Sequence, residues 1–141
     1  MPRIKIELPE RFSFSTEIPI YIGHINYGHH LDNTALLSLV SEARVRFFKS
    51  LGYSELDVEG VGIVVADVAA QYRSEAFHGE TLVVEMAAND FNKLGCDLVW
   101  RLSDKATGRE VARGKHGIVF FDYTARKPTS VPPAFVAKVS V

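Results

Sequence analysis

The segment NTALLSLVSEARVRFFKSL, residues 33–51, decides the fold. Its apolar residues Leu36, Leu39, Val40, Ala43, Phe47, Phe48 and Leu51 recur at spacings of three and four, which places them on one stripe of a helix. No other segment carries so clear a helical period. Asp32 or Asn33 can cap the N-terminus, where an oxygen-bearing side chain satisfies free backbone N–H groups. Arg44, Arg46 and Lys49 crowd the C-terminal half, the end that favours cations, and Gly52 supplies the stop. Period, caps and charges together predict one long buried helix over about Asn33 to Leu51.

Beyond the helix the period changes. Gly62 to Tyr72, Thr81 to Phe91, Cys96 to Ser103 and Glu110 to Asp122 are rich in β-branched and aromatic residues and read as strands. Short polar connections join them: His78-Gly79-Glu80, Asn92-Lys93 with Gly95, and Asp104 to Arg109 with Gly108. Such links suit antiparallel neighbours and are too short for parallel crossovers. A further strand, about Phe12 to Ile22, precedes the helix. The expected architecture is therefore α+β, a five-stranded antiparallel sheet wrapped around one long central helix. Pro132-Pro133 ends the sheet, and Ala134 to Val139 reads as a short terminal helix.

At 141 residues, 47 % of them hydrophobic, the chain has the size and apolar content of one core, so residues 1–141 are expected to form a single domain. Sixteen Lys and Arg stand against 17 Asp and Glu, with no block of five or more like charges, which argues against a nucleic-acid partner. The single cysteine, Cys96, has no internal disulfide partner, and the first ten residues, MPRIKIELPE, lack the pattern of a secretory signal. A reducing, cytoplasmic compartment is the expectation. Val61 to Ala70, the longest apolar stretch, is interrupted by Asp67 and falls far short of the roughly 20 residues a membrane span needs. The protein reads as soluble, and no cofactor is expected.

The chemistry is concentrated in His24-Ile25-Asn26-Tyr27-Gly28-His29-His30-Leu31-Asp32-Asn33, directly before the helix, with Glu42-Ala43-Arg44 further along it. These residues resemble the hotdog-fold thioesterases related to 4-hydroxybenzoyl-coenzyme A thioesterase, over Ile18 to about Phe121. That family's pattern runs roughly Asp-x-Asp-x-x-Gly-His-x-Asn-Asn, then an apolar helix bearing Glu-Ala-Arg. His30 and Asn33 stand at its His and last Asn, and Glu42-Ala43-Arg44 at its triplet. The two acidic positions are His24 and Asn26 here, and His29 takes the place of the glycine. The resemblance implies a hotdog fold, a homo-oligomer (dimer or tetramer) and hydrolysis of an acyl- or aroyl-coenzyme A thioester. It does not transfer a base, because Asn26 carries no carboxylate.

Hydrolysis needs charge stabilisation at the carbonyl oxygen, and free N–H groups near Asn33, Thr34 and Ala35 at a helix N-terminus are suited to supply it. It also needs a proton acceptor, and Glu42, His24, His29 and His30 are the titratable groups nearby in sequence. The expected catalytic residues are Asn26, His30 and Glu42, with His29, Asn33 and Thr34 binding substrate; Glu42, more than two turns into the helix, would reach the thioester from the facing chain or across a shallow cleft. Each has a plainer reading beside it: a surface pair of Glu42 with Arg46, and turn or cap roles for His29 and His30. Adjacent histidines point apart and no thiolate joins them, so no metal site is expected. A second function stands beside the thioesterase: a non-catalytic module that binds acyl or aromatic ligands. A hotdog hydratase is less consistent, since no proline-rich approach to the histidine is present.

Overall fold

In the computed structural model, which describes residues 3–140, the long helix α1 spans Asn33–Ser50. Asp32 is its cap: its backbone is extended, and its carboxylate accepts the N–H groups of Thr34 (3.0 Å) and Ala35 (3.1 Å). Leu36, Leu39, Val40, Ala43, Phe47 and Phe48 are buried, the stripe expected from the spacing. At the far end Gly52 adopts φ +86° and donates to Lys49 O, a left-handed stop that glycine adopts without a Cβ clash.

The principal strands are β1 (Phe14–Pro19), β2 (Gly62–Tyr72), β3 (Thr81–Asn89), β4 (Gly95–Asp104) and β5 (Glu110–Asp122). They pair antiparallel in the order β1-β3-β4-β5-β2. Because β2 comes after the helix in the chain yet lies at the sheet's edge, β1 and β2 are the two rims, with α1 across the face between them. Two details differ from the sequence expectation. β1 stops at Pro19, and Ile22–His24 wind into a 3-10 turn, since proline cannot donate to a ladder. A sixth strand, β6 (Lys127–Pro128), adds two residues to β5 after the turn that starts at Asp122. The terminal helix α2 (Pro133–Val139) buries Phe135 against Phe48 and Phe120.

One cluster of buried side chains fills the space between α1 and the sheet. Two polar residues are buried beside it, Asp104 at the end of β4 and His116 on β5, and the Nδ1 of His116 accepts the Trp100 indole N–H at 2.9 Å. Burial, and secondarily the nearby Arg44 guanidinium, push the His116 pKa down to about 4, so the ring is neutral. Outside the sheet, the N-terminal arm is tied across β2 and β5: Ile6 N–H donates to Gln71 Oε1 (2.7 Å), and Arg113 donates to Ile6 O. No helix among the described residues is long and apolar enough to cross a membrane.

Candidate active site

The segment ahead of α1 folds back on itself. Ile25 and Leu31 form an antiparallel bridge, Asn26 N–H donates to His30 O, and His29 N–H donates to Asn26 O, each bond 3.0 Å. Asn26 Oδ1 accepts the Gly28 N–H at 2.9 Å, the side-chain turn that asparagine commonly makes. This tight reversal forces His29 to φ +67°, a left-handed backbone that explains a glycine at the same place in the resembled pattern. The His29 side chain is exposed.

Leu31 N–H then donates to Ala76 O at 2.7 Å, which docks the loop on the chain leaving β2. Tyr72 Oη donates to Asn33 O (3.3 Å), so the end of β2 is tied to the first turn of α1 as well. Between the two segments lies a cleft of about 340 Å³. Asn26, His30 and Asn33 form one wall, Tyr72, Arg73, Ser74 and Glu75 the other, and Leu31, Leu36, Ala76 and Val111 make an apolar floor. Tyr72 stays protonated, its pKa raised by burial and then by the Asp32 charge.

Three of the six expected site residues therefore meet: Asn26, His30 and Asn33 line one cleft. His30 Nδ1 lies 3.2 Å from Leu31 O. A carbonyl only accepts, so Nδ1 carries a proton toward Leu31 O, and Nε2, on the other side of the ring, lies beside Gly28. The helix terminus offers less than expected. Asp32 occupies the N–H groups of Thr34 and Ala35, and its own carbonyl takes that of Leu36. Asn33 N–H is the donor of this first turn with no acceptor among the described residues. Thr34 is not a cleft residue, because its hydroxyl also bonds to Asp32. That hydroxyl, and after it the Ala35 N–H, holds the Asp32 carboxyl below its usual range.

Glu42 is elsewhere. Its carboxylate accepts from Arg46 Nε at 2.7 Å, and Arg46 reaches on to Thr16 Oγ1 and Glu17 O of β1. Glu42 and His24 share a separate hollow with Tyr21 and Ser38, on the β1 side of the helix. The cleft is on the β2 side, so within one chain the expected Glu42 contribution to it does not form. His29 does not line the cleft either. Residues 72–75, by contrast, were not expected there. Arg73-Ser74-Glu75 reads in sequence as a polar strand end, and some 40 residues separate it from the loop it faces.

Residues 20–139 match the family model described as the thioesterase-like superfamily. No curated protein matches the chain. Among solved structures it is similar to the PA2801 protein of Pseudomonas aeruginosa, assigned as a thioesterase: 25 % identity, TM-score 0.83, covering 92 % of this chain and 100 % of that one. It is also similar to the 1,4-dihydroxy-2-naphthoyl-CoA thioesterase of Synechocystis, at 16 % identity and TM-score 0.80, with 89 % and 94 % covered. The DHNA-CoA thioesterase of Staphylococcus aureus shares 18 % identity at TM-score 0.77, with 88 % and 86 % covered. At such identities the last two bear on the fold alone.

Proposed function

We propose, from the premise that this chain belongs to the thioesterase-like superfamily, that it hydrolyses the thioester bond of an acyl- or aroyl-coenzyme A. The observation that carries the reading is the unengaged Asn33 N–H at the start of α1, beside a cleft with an apolar floor and an amide and imidazole in its wall. In hydrolysis the carbonyl oxygen gains negative charge, and a fixed N–H at the positive end of a helix stabilises that charge more than it stabilises the ground state. Asn26 contributes the second N–H of its Nδ2, beyond the 3.5 Å contact to Asp32. His30 Nε2 accepts from substrate or water. The floor of Leu31, Leu36, Ala76 and Val111 takes the acyl group, and the volume, near the lower end of ligand sites, suits a short chain or a single ring.

The working form is a homo-oligomer, at least a dimer. β2 is an eleven-residue rim strand, and its Val65, Val68 and Tyr72 are 41 %, 45 % and 51 % exposed. Pairing β2 with its copy across a two-fold axis satisfies the free backbone groups, covers apolar side chains of the strand and walls the cleft at its open side. The same pairing leaves Glu42, on the β1 side, away from the interface. The whole chain acts as one domain in the reducing cytoplasm, in keeping with a single buried thiol, Cys96, whose pKa burial pushes up to about 12.

The test is a panel of short, medium and aromatic acyl-coenzyme A esters with a thiol-detecting reagent, alongside light scattering at micromolar concentration. Release of free coenzyme A from at least one ester supports the reading. Saturable binding of the esters without thiol release identifies an acyl-binding module instead, and a monomer refutes the assembly.

A further inference from the structure

We infer that Glu75, at the end of β2, is the general base of the cleft and supplies the carboxylate that Asn26 lacks. This rests on the thioesterase reading of the same site. Glu75 is the one acidic residue lining the cleft, on the wall opposite Asn33 and His30. Its backbone is clamped on both sides. Ser74 N–H and Oγ donate to Val111 O (3.1 Å) and Glu110 O (2.8 Å), Arg109 Nη2 donates to Glu75 O (3.0 Å), and Ala76 O takes the Leu31 N–H.

Its carboxylate, in contrast, has no hydrogen bond or ion pair to any described residue. Among the described residues that condition is shared with Glu7 and Glu10 in the arm and Asp90 in the β3–β4 turn. The neighbouring acids are all occupied: Glu80 by Arg109, Glu110 by Arg113, and Asp32 by the cap. An exposed carboxylate on rigid backbone, unengaged and lining the same cleft as the free Asn33 N–H, is placed to activate water.

In the hydrolytic step Glu75 takes one proton from water as the water oxygen bonds to the thioester carbon, and Asn33 N–H meets the resulting oxyanion. Collapse breaks the carbon–sulfur bond, and the thiolate takes the proton back from Glu75 to leave as free coenzyme A. The other product is the carboxylic acid.

Glu75→Gln keeps size and polarity and removes the base. Hydrolysis of the best acyl-coenzyme A ester is measured across the acidic, neutral and mildly basic range, together with binding of a non-hydrolysable thioether analogue and thermal unfolding. The expected result is a fall in kcat of about a hundredfold or more, within the range of a general base, with KM, analogue binding and melting temperature nearly unchanged and the acidic limb of the pH profile flattened. Turnover within about threefold of the parent, with that limb retained, overturns the assignment and is what a merely solvated strand-end carboxylate gives. A parent protein that hydrolyses no ester refutes the thioesterase reading itself, a result separate from an active parent matched by an active Glu75→Gln.

Discussion

Replacing Asn33 with proline removes one N–H donor from the site and leaves the backbone of the fold in place. Asn33 is the first residue of α1, where proline's fixed φ is already helical and its missing N–H has no intrahelical acceptor. The preceding residue must be extended, and Asp32 is, with φ −68° and ψ 140°. Asn33 O stays available to the Tyr72 hydroxyl, and the Asp32 bonds to Thr34 and Ala35 do not involve the changed atom. The donor lost is the one that remains after Asp32 has taken its two. Loss of one such donor elsewhere lowers kcat by about 10²–10³, or roughly 3–4 kcal/mol of transition-state stabilisation. Asn33→Ala is the control, since it deletes the same amide side chain and keeps the N–H. The assay is kcat for the best acyl-coenzyme A ester in parent, Asn33→Ala and Asn33→Pro, with melting temperature recorded for each. Asn33→Pro should turn over about a hundredfold more slowly than Asn33→Ala at a similar melting temperature. Equal turnover in the two variants would remove the helix terminus from the mechanism.

Neighbouring geometry sets three further outcomes. His116 binds its proton less tightly in the fold (about 4) than in the unfolded chain (6.5), so its contribution is whole above pH 6.5 and is lost as pH falls toward 4. Between pH 7 and 5 that loss is about 2 kcal/mol, and His116→Gln, which retains an acceptor for Trp100, should abolish it in urea titrations; parallel pH curves would disprove the assignment. Gly28→Ala places a Cβ 2.9 Å from His30 Nε2 and 3.3 Å from Asn26 Oδ1, and should cut turnover at least about tenfold with little change in melting temperature. Unchanged kinetics would show that neither side chain is held in place for catalysis. Glu42→Gln removes a half-exposed pair with Arg46, costs under about 1 kcal/mol of stability and leaves turnover intact; a hundredfold loss would restore Glu42 to the site.

The helix is legible in the sequence because its stripe of Leu36 to Phe48 is a local signal, and the strands are because their turns are short and polar. Local signals also account for Asn26, His30 and Asn33 lining one cleft, since a loop that ends in a capped helix must deliver its residues to the helix N-terminus. Two kinds of information are not local. Glu42 shares the helix with the site but faces β1, and its side of the helix depends on where Arg46 finds partners, Thr16 and Glu17, about 30 residues earlier. Arg73 and Glu75 belong to the cleft only because Leu31 pairs with Ala76 across a separation that no sequence period records. The occupation of the Thr34 and Ala35 N–H groups is half legible: Asp32 is a candidate cap from its position, and a good cap consumes the donors an oxyanion would otherwise use.

The identity of the cap also bears on the missing acid. In the resembled pattern position 26 is an aspartate and position 32 an asparagine; here they are Asn26 and Asp32, in contact at 3.5 Å between Asn26 Nδ2 and Asp32 Oδ1. One carboxylate and one amide are kept, but exchanged, so the charge has left the cleft wall for the helix cap. Asp32 cannot serve as the base from there, because Thr34 and Ala35 occupy it and hold its carboxyl below the usual range. Exchanging both residues, Asn26→Asp with Asp32→Asn, should return a carboxylate to the cleft while asparagine, an equally good cap, keeps the helix start. Asn26→Asp alone should fare worse, since two like charges would then share the 3.5 Å contact. If Glu75 now does the work that position 26 does in the pattern, adding the double exchange to Glu75→Gln should recover turnover at least about tenfold, part of a general base's contribution. Thioester hydrolysis by the triple variant, compared with Glu75→Gln at equal melting temperature, measures this. A triple variant no faster than Glu75→Gln would mean that the carboxylates at 26 and 75 are not interchangeable sources of the same proton transfer.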